Sequence, residues 1–526
     1  MNGPSADARW IRNPETPPEV SVGDALCSAA AAAPERVALL EGHPDPARRR
    51  EWTYAALLDE AQRAAAALLE RFASGDRIGV FAPNLPEWVV LEFAAALAGL
   101  TLVTVNPALR EDELRDVLRR SRVVGVFAAD EYRGRALPAL VDAVSPDLSA
   151  LREVIPFSQW RQLVARPLPT RLPSVPPSSI AQIQFTSGTT GAPKGAMLRH
   201  GAIVRNASRY GERFAMRDGE IQLSPMPLFH TAGCVMSVLG TLSVHGTLVL
   251  PAQFEPGLCL DLLEATRATS LLGVPTMLVA MLEHERFERS DLSALERVLS
   301  GGAVVPPDLV ERVERATHAR CTQVFAQTEA SPVITQSSPE DRPDERARTL
   351  GRPLPGIDVS IVDRNGNVVE HDVVGEIITR GYHVMAGYLD DPEATAAAID
   401  ADGWLHTGDL GSMDARGFCR VRGRLKDMVI RGGENIFPAE IEAVLRQHPA
   451  VVDAAVVGAP DSTWGEQVAA FVRLGVGAIP DERALDAHVR AHLAPHKAPK
   501  LWFFVDELPL TGSGKVKKYE LRERVR

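Results

Sequence analysis

Lysine is scarce in this chain. Of 57 basic residues among 526, only seven are lysine, and six of those lie in the last 101 residues. Arginine therefore carries the generic surface charge, and each lysine invites a functional reading. Cysteine is also rare: five are scattered (Cys27, Cys234, Cys259, Cys321, Cys419), an odd number never spaced as C-x-x-C. That pattern argues against a disulfide framework or a zinc cluster and predicts a reducing compartment. The opening segment, MNGPSADARWIRNPETPPEV, contains no apolar core of signal-peptide length. The most apolar long stretch, residues 89–105, is broken by Glu92 and Gly99 and reads as a buried helix followed by a strand, with no membrane span. Together these features predict a cytoplasmic protein. Runs of like charge are missing as well. Net charge is −11, and without a basic face the chain has little to offer a nucleic-acid backbone.

What is present is ordinary globular material: 45% apolar and 24% charged residues, which excludes a disordered or fibrous chain. A domain usually takes roughly 100–200 residues, so two or more are expected. From residue 50 onward, short β-rich runs alternate with helical patterns. Residues 77–81 read as a strand, a helix opens near Pro86, 102–105 is a second strand, 111–120 a helix and 123–127 a third strand. The rhythm recurs at 183–185, 247–250, 271–274 and 324–325. This alternation predicts an α/β fold with a largely parallel sheet. Residues 167–179, rich in Pro and Ser, read as an exposed connection. Beyond Gly423-Arg424-Leu425-Lys426-Asp427 the pattern becomes a compact α+β tail, with helix 438–448, strands 452–457 and 468–473, helix 482–493 and strand 501–505. The expected division is a large N-terminal part of mixed α/β subdomains, residues 1–425, and a small C-terminal domain, residues 426–526.

Residues 185–195 read FTSGTTGAPKG directly after an apolar strand. Glycines free the backbone to turn its N–H groups inward, hydroxyls add donors and Lys194 adds a point charge, which together make a cradle for phosphate oxygens. Neither a Walker A loop nor a G-x-G-x-x-G dinucleotide turn can be threaded through it. A flexible linker of small residues is the bland alternative, but linkers rarely follow a buried strand.

This run resembles the phosphate loop of the adenylate-forming superfamily, which comprises acyl-CoA synthetases, peptide-synthetase adenylation domains and luciferases. The wording of the motifs is most similar to fatty-acyl-CoA synthetases, and the other family signatures follow in order along nearly the whole chain. The resemblance implies a mobile C-terminal domain and an enzyme that activates a carboxylate with Mg-ATP as an acyl-adenylate, releases pyrophosphate, and passes the acyl group to coenzyme A. It implies phosphate contacts from Thr186, Ser187, Gly188, Thr189, Thr190, Gly191 and Lys194. Phe325-Ala326-Gln327-Thr328-Glu329 resembles the aromatic-Gly-x-Thr-Glu motif, with the Phe325–Gln327 stretch near the adenine, Thr328 on the α-phosphate and Glu329 holding Mg2+. One carboxylate plus phosphate oxygens is a normal magnesium arrangement. Ala326 stands where Gly is common and Phe325 where Tyr is common, which puts the pocket shape there in question. Gly301-Gly302-Ala303 resembles the segment that lines the adenine.

Asp409, within Gly403-Trp404-Leu405-His406-Thr407-Gly408-Asp409, matches the family's ribose-binding Asp, and a carboxylate can accept from both hydroxyls of a vicinal diol. Arg424 is implied as a second ribose contact and Lys426 as the hinge. Gly432, Gly433 and Glu434 fall in the loop implied to line the approach of the CoA thiol. Lys515 matches the mobile catalytic lysine, whose cation bridges the carboxylate and α-phosphate and offsets their repulsion. Lys517 and Lys518 offer the bland comparison, a basic cluster on a final helix. His230 matches a histidine at the acyl pocket; a lone His between apolar residues is otherwise a core residue, and its implied role is gating or positioning.

The segments implied to line the acyl pocket, 224–245, 273–281 and 299–305 with 325–335 closing them, are mostly apolar. No Asp lies in 224–245, where amino-acid-activating relatives place one, and an unpaired ammonium would be costly there. The acid is therefore expected to be apolar: a medium or long fatty acid, or a bulky aryl or terpenoid acid. The expected partners are that acid, ATP and CoA, with no nucleic acid and no membrane span, and a homodimer is left open. Two alternatives stand beside the ligase: an acyl-AMP ligase loading a carrier protein, and an enzyme specialised for the thiolation half-reaction. A non-catalytic sensor would be expected to lose Lys194, Glu329 or Lys515, and all three are present.

Overall fold

The computed structural model describes residues 7–11, 19–168, 171–186, 193–432, 434–475, 477–509 and 516–525. They divide into two units, one from Trp10–Val359 and Thr379–Leu405, the other from Met1–Arg9, Ser360–Ile378 and His406–Arg526. The expected boundary after residue 425 falls inside the smaller unit.

The larger unit is α/β, as the alternating pattern predicts. One sheet has six strands in the order Lys194–Arg199, Ile180–Thr186, Thr101–Val105, Arg77–Phe81, Gly125–Ala128 and Glu153–Pro156. All neighbours are parallel except the first two, which form an antiparallel pair. A nine-stranded sheet has a parallel centre, Arg320–Ala326, Arg297–Gly301, Ser270–Gly273, Ile221–Leu223, Thr247–Pro251 and Val37–Gly42, with antiparallel strands at both ends. Parallel strands are covered on both faces, so their sequences run apolar without alternation. Thr101–Val105 and Ser270–Gly273 are accordingly buried at every residue. The described part of 167–179 has no regular structure and lies between helix Trp160–Val164 and strand Ile180–Thr186.

Helix Pro86–Ala98 shows how the sequence sets an element. Pro86 supplies a preset φ at the first position, and Gly99 ends the helix in the left-handed region at φ 70°. Every residue but Glu87 is buried, as an all-apolar helix requires. It packs on helices Val22–Ala32 and Tyr54–Leu69. Glu92 is the exception in chemistry, a buried acid whose Oε1 accepts from Gln182 Nε2 at 2.6 Å. Burial pushes its carboxyl well above the usual range, and the Gln182 hydrogen bond only partly opposes this.

In the smaller unit, the tail forms a sheet ordered Glu434–Ile436, Val429–Arg431, Gly465–Leu474 and Val451–Asp461, with Leu501–Phe504 parallel to Gly465–Leu474. The period-2 alternation of a strand sorts its residues to two faces. Val456, Val468 and Val472 pack with Ile441, Leu445, Leu485 and Val489 of helices Pro438–Leu445 and Glu482–His492. Ala455, Val457 and Phe471 pack on the other face with Leu521 of helix Lys518–Glu523. The two long strands, Leu501–Phe504 and the helices Pro438–Leu445 and Glu482–His492 are the tail elements the sequence predicts, with ends shifted by a few residues, whereas the short strands Val429–Arg431 and Glu434–Ile436 stand where the sequence reads as a glycine-rich loop.

Two buried carboxylates give opposite expectations. Arg297 Nη2 reaches both oxygens of Glu220 at 2.7 Å, and both side chains are almost fully enclosed. Glu220→Ala removes the guanidinium's enclosed partner and leaves it only the more exposed Glu296, at 2.8 Å, so it is expected to cost up to about 3–5 kcal/mol in urea unfolding, while pairing it with Arg297→Met recovers much of that loss. For Glu92, the native carboxyl keeps its proton above the pH, about 4.3, at which the unfolded chain releases it. The native state then binds more protons, so stability falls as pH rises through that window. Glu92→Gln should flatten this decline above about pH 4.3; an unchanged slope in urea titrations would contradict the assignment.

Candidate active site

The glycine-rich loop is held at its two ends. Strand Ile180–Thr186 leads into it and strand Lys194–Arg199 leads out, and the last register pair between them is Thr186 with Lys194. Ser187, Gly188, Thr189, Thr190 and Gly191 lie outside the described residues. A Cβ on Gly195 would lie 3.0 Å from Ile183 Cγ2 and 3.2 Å from the Phe185 ring, so a side chain there would crowd the hairpin. Arg120 braces the outside. Its guanidinium donates to the Pro193 carbonyl and sits 5.9 Å from the Phe185 ring centroid.

Glu329 belongs to a short turn, Thr328–Ala330, that follows strand Arg320–Ala326. Its Oε1 accepts from Tyr388 Oη at 2.9 Å and faces Thr186 Oγ1 at 3.3 Å. The structure thus brings the predicted carboxylate to the entry of the predicted phosphate loop. Lys194 Nζ lies 5.1 Å from the Tyr388 ring centroid. Tyr388 was not among the predicted residues, and the sequence marks it only by a preceding Gly387 at φ 137°. Burial, reinforced by Glu329, raises the Tyr388 phenol and keeps it a donor. No group of three or more His, Cys, Asp or Glu could hold a metal among the described residues. A single carboxylate beside a phosphate cradle fits a magnesium ion that takes its remaining ligands from nucleotide and water.

Gly301, Gly302 and Ala303 lie at the carboxyl end of strand Arg297–Gly301, beside Phe325 and Ala326 at the carboxyl end of the parallel strand Arg320–Ala326. Ligands bind at this edge of open α/β sheets. A Cβ on Gly301 would stand 2.5 Å from Val324 Cγ1 and 2.8 Å from Val324 O, so only glycine fits the strand pair. Gly302 turns at φ 77°. Ala326 continues the strand into a bulge opposite Val333 and has no positive φ, so its methyl costs no backbone strain. Gln327 follows in extended conformation and its N–H donates to Pro332 O.

His230 sits where the Pro227–Phe229 segment enters a π-helix, Ala232–Leu239, with the Phe229 ring tilted against it at 4.6 Å between centroids. That π-helix, within the segment implied to line the acyl pocket, is not visible in the sequence, and such turns are frequent at functional sites. Asn84 fixes its approach: its amide donates to Met226 O and Pro251 O and accepts from Leu228 N. Cys234 of the π-helix meets Gln184 Nε2 at 3.1 Å, and Gln184 in turn donates to Gln182, the partner of Glu92. The wall of the π-helix is apolar, yet a polar chain from a distant helix runs up to it.

In the smaller unit, Asp409 and Arg424 are register partners on strands Leu405–Met413 and Cys419–Arg424, with Nε and Oδ1 3.3 Å apart. Glu376, unpredicted, shapes the preceding turn: one oxygen accepts from Gly408 N, and the other lies 2.9 Å from His406 Nδ1. Gly408 needs its left-handed φ of 67° there. Lys426 is in the turn Leu425–Asp427, where Arg522 binds both the Lys426 carbonyl and the Asp427 carboxylate. Burial and the neighbouring Arg424 lower the Lys426 ammonium. Gly432, at φ 58°, donates to Trp464 O, and a Cβ on it would lie 2.7 Å from the Trp464 ring, which also stacks on Arg431. Glu434 pairs with Arg431 across the hairpin. Gly433 and Lys515 lie outside the described residues. Lys517 and Lys518 are committed to Glu520 and Glu442.

The AMP-binding enzyme family matches residues 27–389, and the AMP-binding enzyme C-terminal domain matches residues 440–515. YngI of Bacillus subtilis is 39% identical, covering 96% of this chain and 97% of its own length. The mitochondrial medium-chain acyl-CoA ligase ACSF2 of Rattus norvegicus is 35% identical, covering 96% of this chain and 87% of its own. The crystal structure of ATP-bound MatB from Rhodopseudomonas palustris superposes with a TM-score of 0.87 at 28% identity, covering 96% of this chain and 99% of that one. No helix of the described residues is long and apolar enough to cross a membrane. With two family matches in order along the chain and a relative 39% identical over nearly its whole length, the chain belongs to the AMP-binding family of adenylate-forming enzymes.

Proposed function

We propose that this enzyme is a cytoplasmic, ATP-dependent acid–CoA ligase for an apolar carboxylic acid, a medium or long fatty acid or a bulky aryl or terpenoid acid. The observation that carries the proposal is the Thr186–Glu329 contact at 3.3 Å, which sets a metal-type carboxylate at the mouth of the glycine-rich loop. In this reading the loop and Lys194 take the β- and γ-phosphates, and Thr328 the α-phosphate. Glu329 holds magnesium, which when bound neutralises phosphate charge. Gly301, Gly302 and Phe325 border the adenine, and Asp409 accepts from the ribose hydroxyls with Arg424 beside it. A carboxylate oxygen of the acid bonds to the α-phosphorus, the bond to the β-phosphate oxygen breaks, and pyrophosphate leaves. Lys515 stabilises the charge that develops as the two anions meet. Residues 426–526 then turn about Lys426, and the CoA sulfur attacks the acyl carbonyl past Gly432, Gly433 and Glu434, expelling AMP. His230 positions the acyl group beside the π-helix.

The apolar wall of Val235, Met236, Val238 and Leu239 supports an apolar acid, and the name of the rat relative puts medium-chain fatty acids first in any panel. Pyrophosphate release with Mg-ATP, run across fatty, aryl, terpenoid and amino acids with and without CoA, tests the proposal. Multiple turnover to acyl-CoA on an apolar acid supports it. Release indifferent to CoA points to a carrier-protein acceptor, and thioester formed only from supplied acyl-AMP points to a thiolation specialist.

Two variants separate the half-reactions. Lys515→Ala should slow adenylation by about two orders of magnitude or more while thioester formation from supplied acyl-AMP continues; equal loss of both contradicts the role given to Lys515. Trp464→Ala removes the ring that backs Gly432 and stacks on Arg431, a contact worth about 0.5–1 kcal/mol at an exposed site. It should slow CoA-dependent turnover several-fold and leave pyrophosphate release in the first turnover unchanged.

A further inference from the structure

Glu329 and Lys194 carry opposite charges on segments that approach the same phenol, yet no ion pair joins them among the described residues. Tyr388 serves both. Its hydroxyl donates to Glu329 Oε1 at 2.9 Å, and its ring faces Lys194 Nζ at 5.1 Å. Thr186 points at the same carboxylate oxygen, so among the described residues the donors gather on Oε1 and none reaches Oε2. The backbone that presents Tyr388 is stitched to both sides. Ala196 and Tyr388 form an antiparallel bridge, Leu389 N donates to Gly195 O, Met197 N donates to Gly387 O, and Met385 N donates to Glu329 O. Tyr388 N itself donates to Thr395 Oγ1 at 2.8 Å. Gly387 has the freedom this path needs: at φ 137°, a Cβ there would meet Thr395 Cγ2 at 2.9 Å.

We propose that Tyr388 is a positioning residue for the nucleotide site, fixing Glu329 so that one oxygen is turned to a divalent cation and holding the Lys194 ammonium on its ring, apart from that carboxylate. The assignment rests on the ligase reading for the identity of the ligand, MgATP. A phenol suits the task because it offers a hydroxyl to the carboxylate and a π-face to the ammonium from one rigid side chain. A loose carboxylate would pair with the lysine instead, and each would be lost to the phosphates.

The test is ATP binding to the full chain, measured by isothermal titration over a series of Mg2+ concentrations with no acid or CoA. Tyr388→Phe keeps the ring and loses the hydroxyl. It is expected to raise the Mg2+ concentration at half effect by about five- to thirty-fold and to leave Mg2+-free ATP binding unchanged. Tyr388→Leu loses the ring too, and should also weaken Mg2+-free binding several-fold. The melting temperature of unliganded Tyr388→Phe should stay with the parent, since its packing is kept. In a Glu329→Gln background, Tyr388→Phe should add almost nothing, because its partner's charge is gone. A normal Mg2+ dependence in Tyr388→Phe, or a full additional loss in the Glu329→Gln background, overturns the assignment while the ligase reading stands. A parent chain that binds no MgATP overturns both.

Discussion

The pairing of Thr186 with Lys194 is the constraint from which the nucleotide side of the larger unit is built. An antiparallel pair at the edge of a parallel sheet is joined by a short connection, so the phosphate loop is fixed at its ends. Its two closing residues then face the same neighbours: Thr186 reaches Glu329, and Lys194 reaches the ring of the tyrosine that also reaches Glu329. Strand Arg320–Ala326 contributes because its carboxyl end delivers the Thr328–Ala330 turn to that edge. Removing the strand pair would separate the lysine from the carboxylate without changing either residue.

Much of this was legible in the sequence, for physical reasons. Parallel strands are buried on both faces, so residues 77–81, 101–105 and 270–273 announce themselves as apolar runs, and Pro86 and Gly99 bracket the helix between two of them. The candidate site residues stand out in the sequence by their order along the chain and not by any one motif, since a Thr-Glu pair or a Gly-Gly pair alone is common loop chemistry. Residues that act on other residues were not legible. Tyr388, Glu376, Asn84 and Glu92 each hold a partner from 30 to 167 positions away, and no local spacing records such a pairing. The π-helix at Ala232–Leu239 was invisible for a different reason: AGCVMSVL has the apolar content of an ordinary buried helix, and one extra residue per turn leaves no compositional mark.

The polar chain Glu92–Gln182–Gln184–Cys234 complicates the apolar account of the pocket segment. Burial pushes the Glu92 carboxyl well above the usual range, which disfavours its charged form. The segment 224–245 itself contains no carboxylate. What the chain supplies is hydrogen bonding between strand Ile180–Thr186, helix Pro86–Ala98 and the π-helix.

The scarcity of lysine turns out to sort residues less cleanly than the sequence suggests. Lys497, Lys517 and Lys518 are paired with Glu440, Glu520 and Glu442, structural duties that arginine performs elsewhere in this chain. Arginine takes the enclosed pairs, such as Arg297 with Glu220 and Arg346 with Glu314, and in the second its planar fork meets the carboxylate through Nε and Nη2 at once. A lysine is a compact charge on a flexible stem, well suited to a phosphate that arrives and leaves. Lys194 fits that use: its resting partner is a π-face, which attracts a cation only weakly where water can reach it. An ammonium held in that way can transfer to a phosphate at small cost, whereas one locked to a carboxylate would first have to break an ion pair. The distinction that matters among the lysines is thus the strength of the resting contact, and rarity alone does not reveal it.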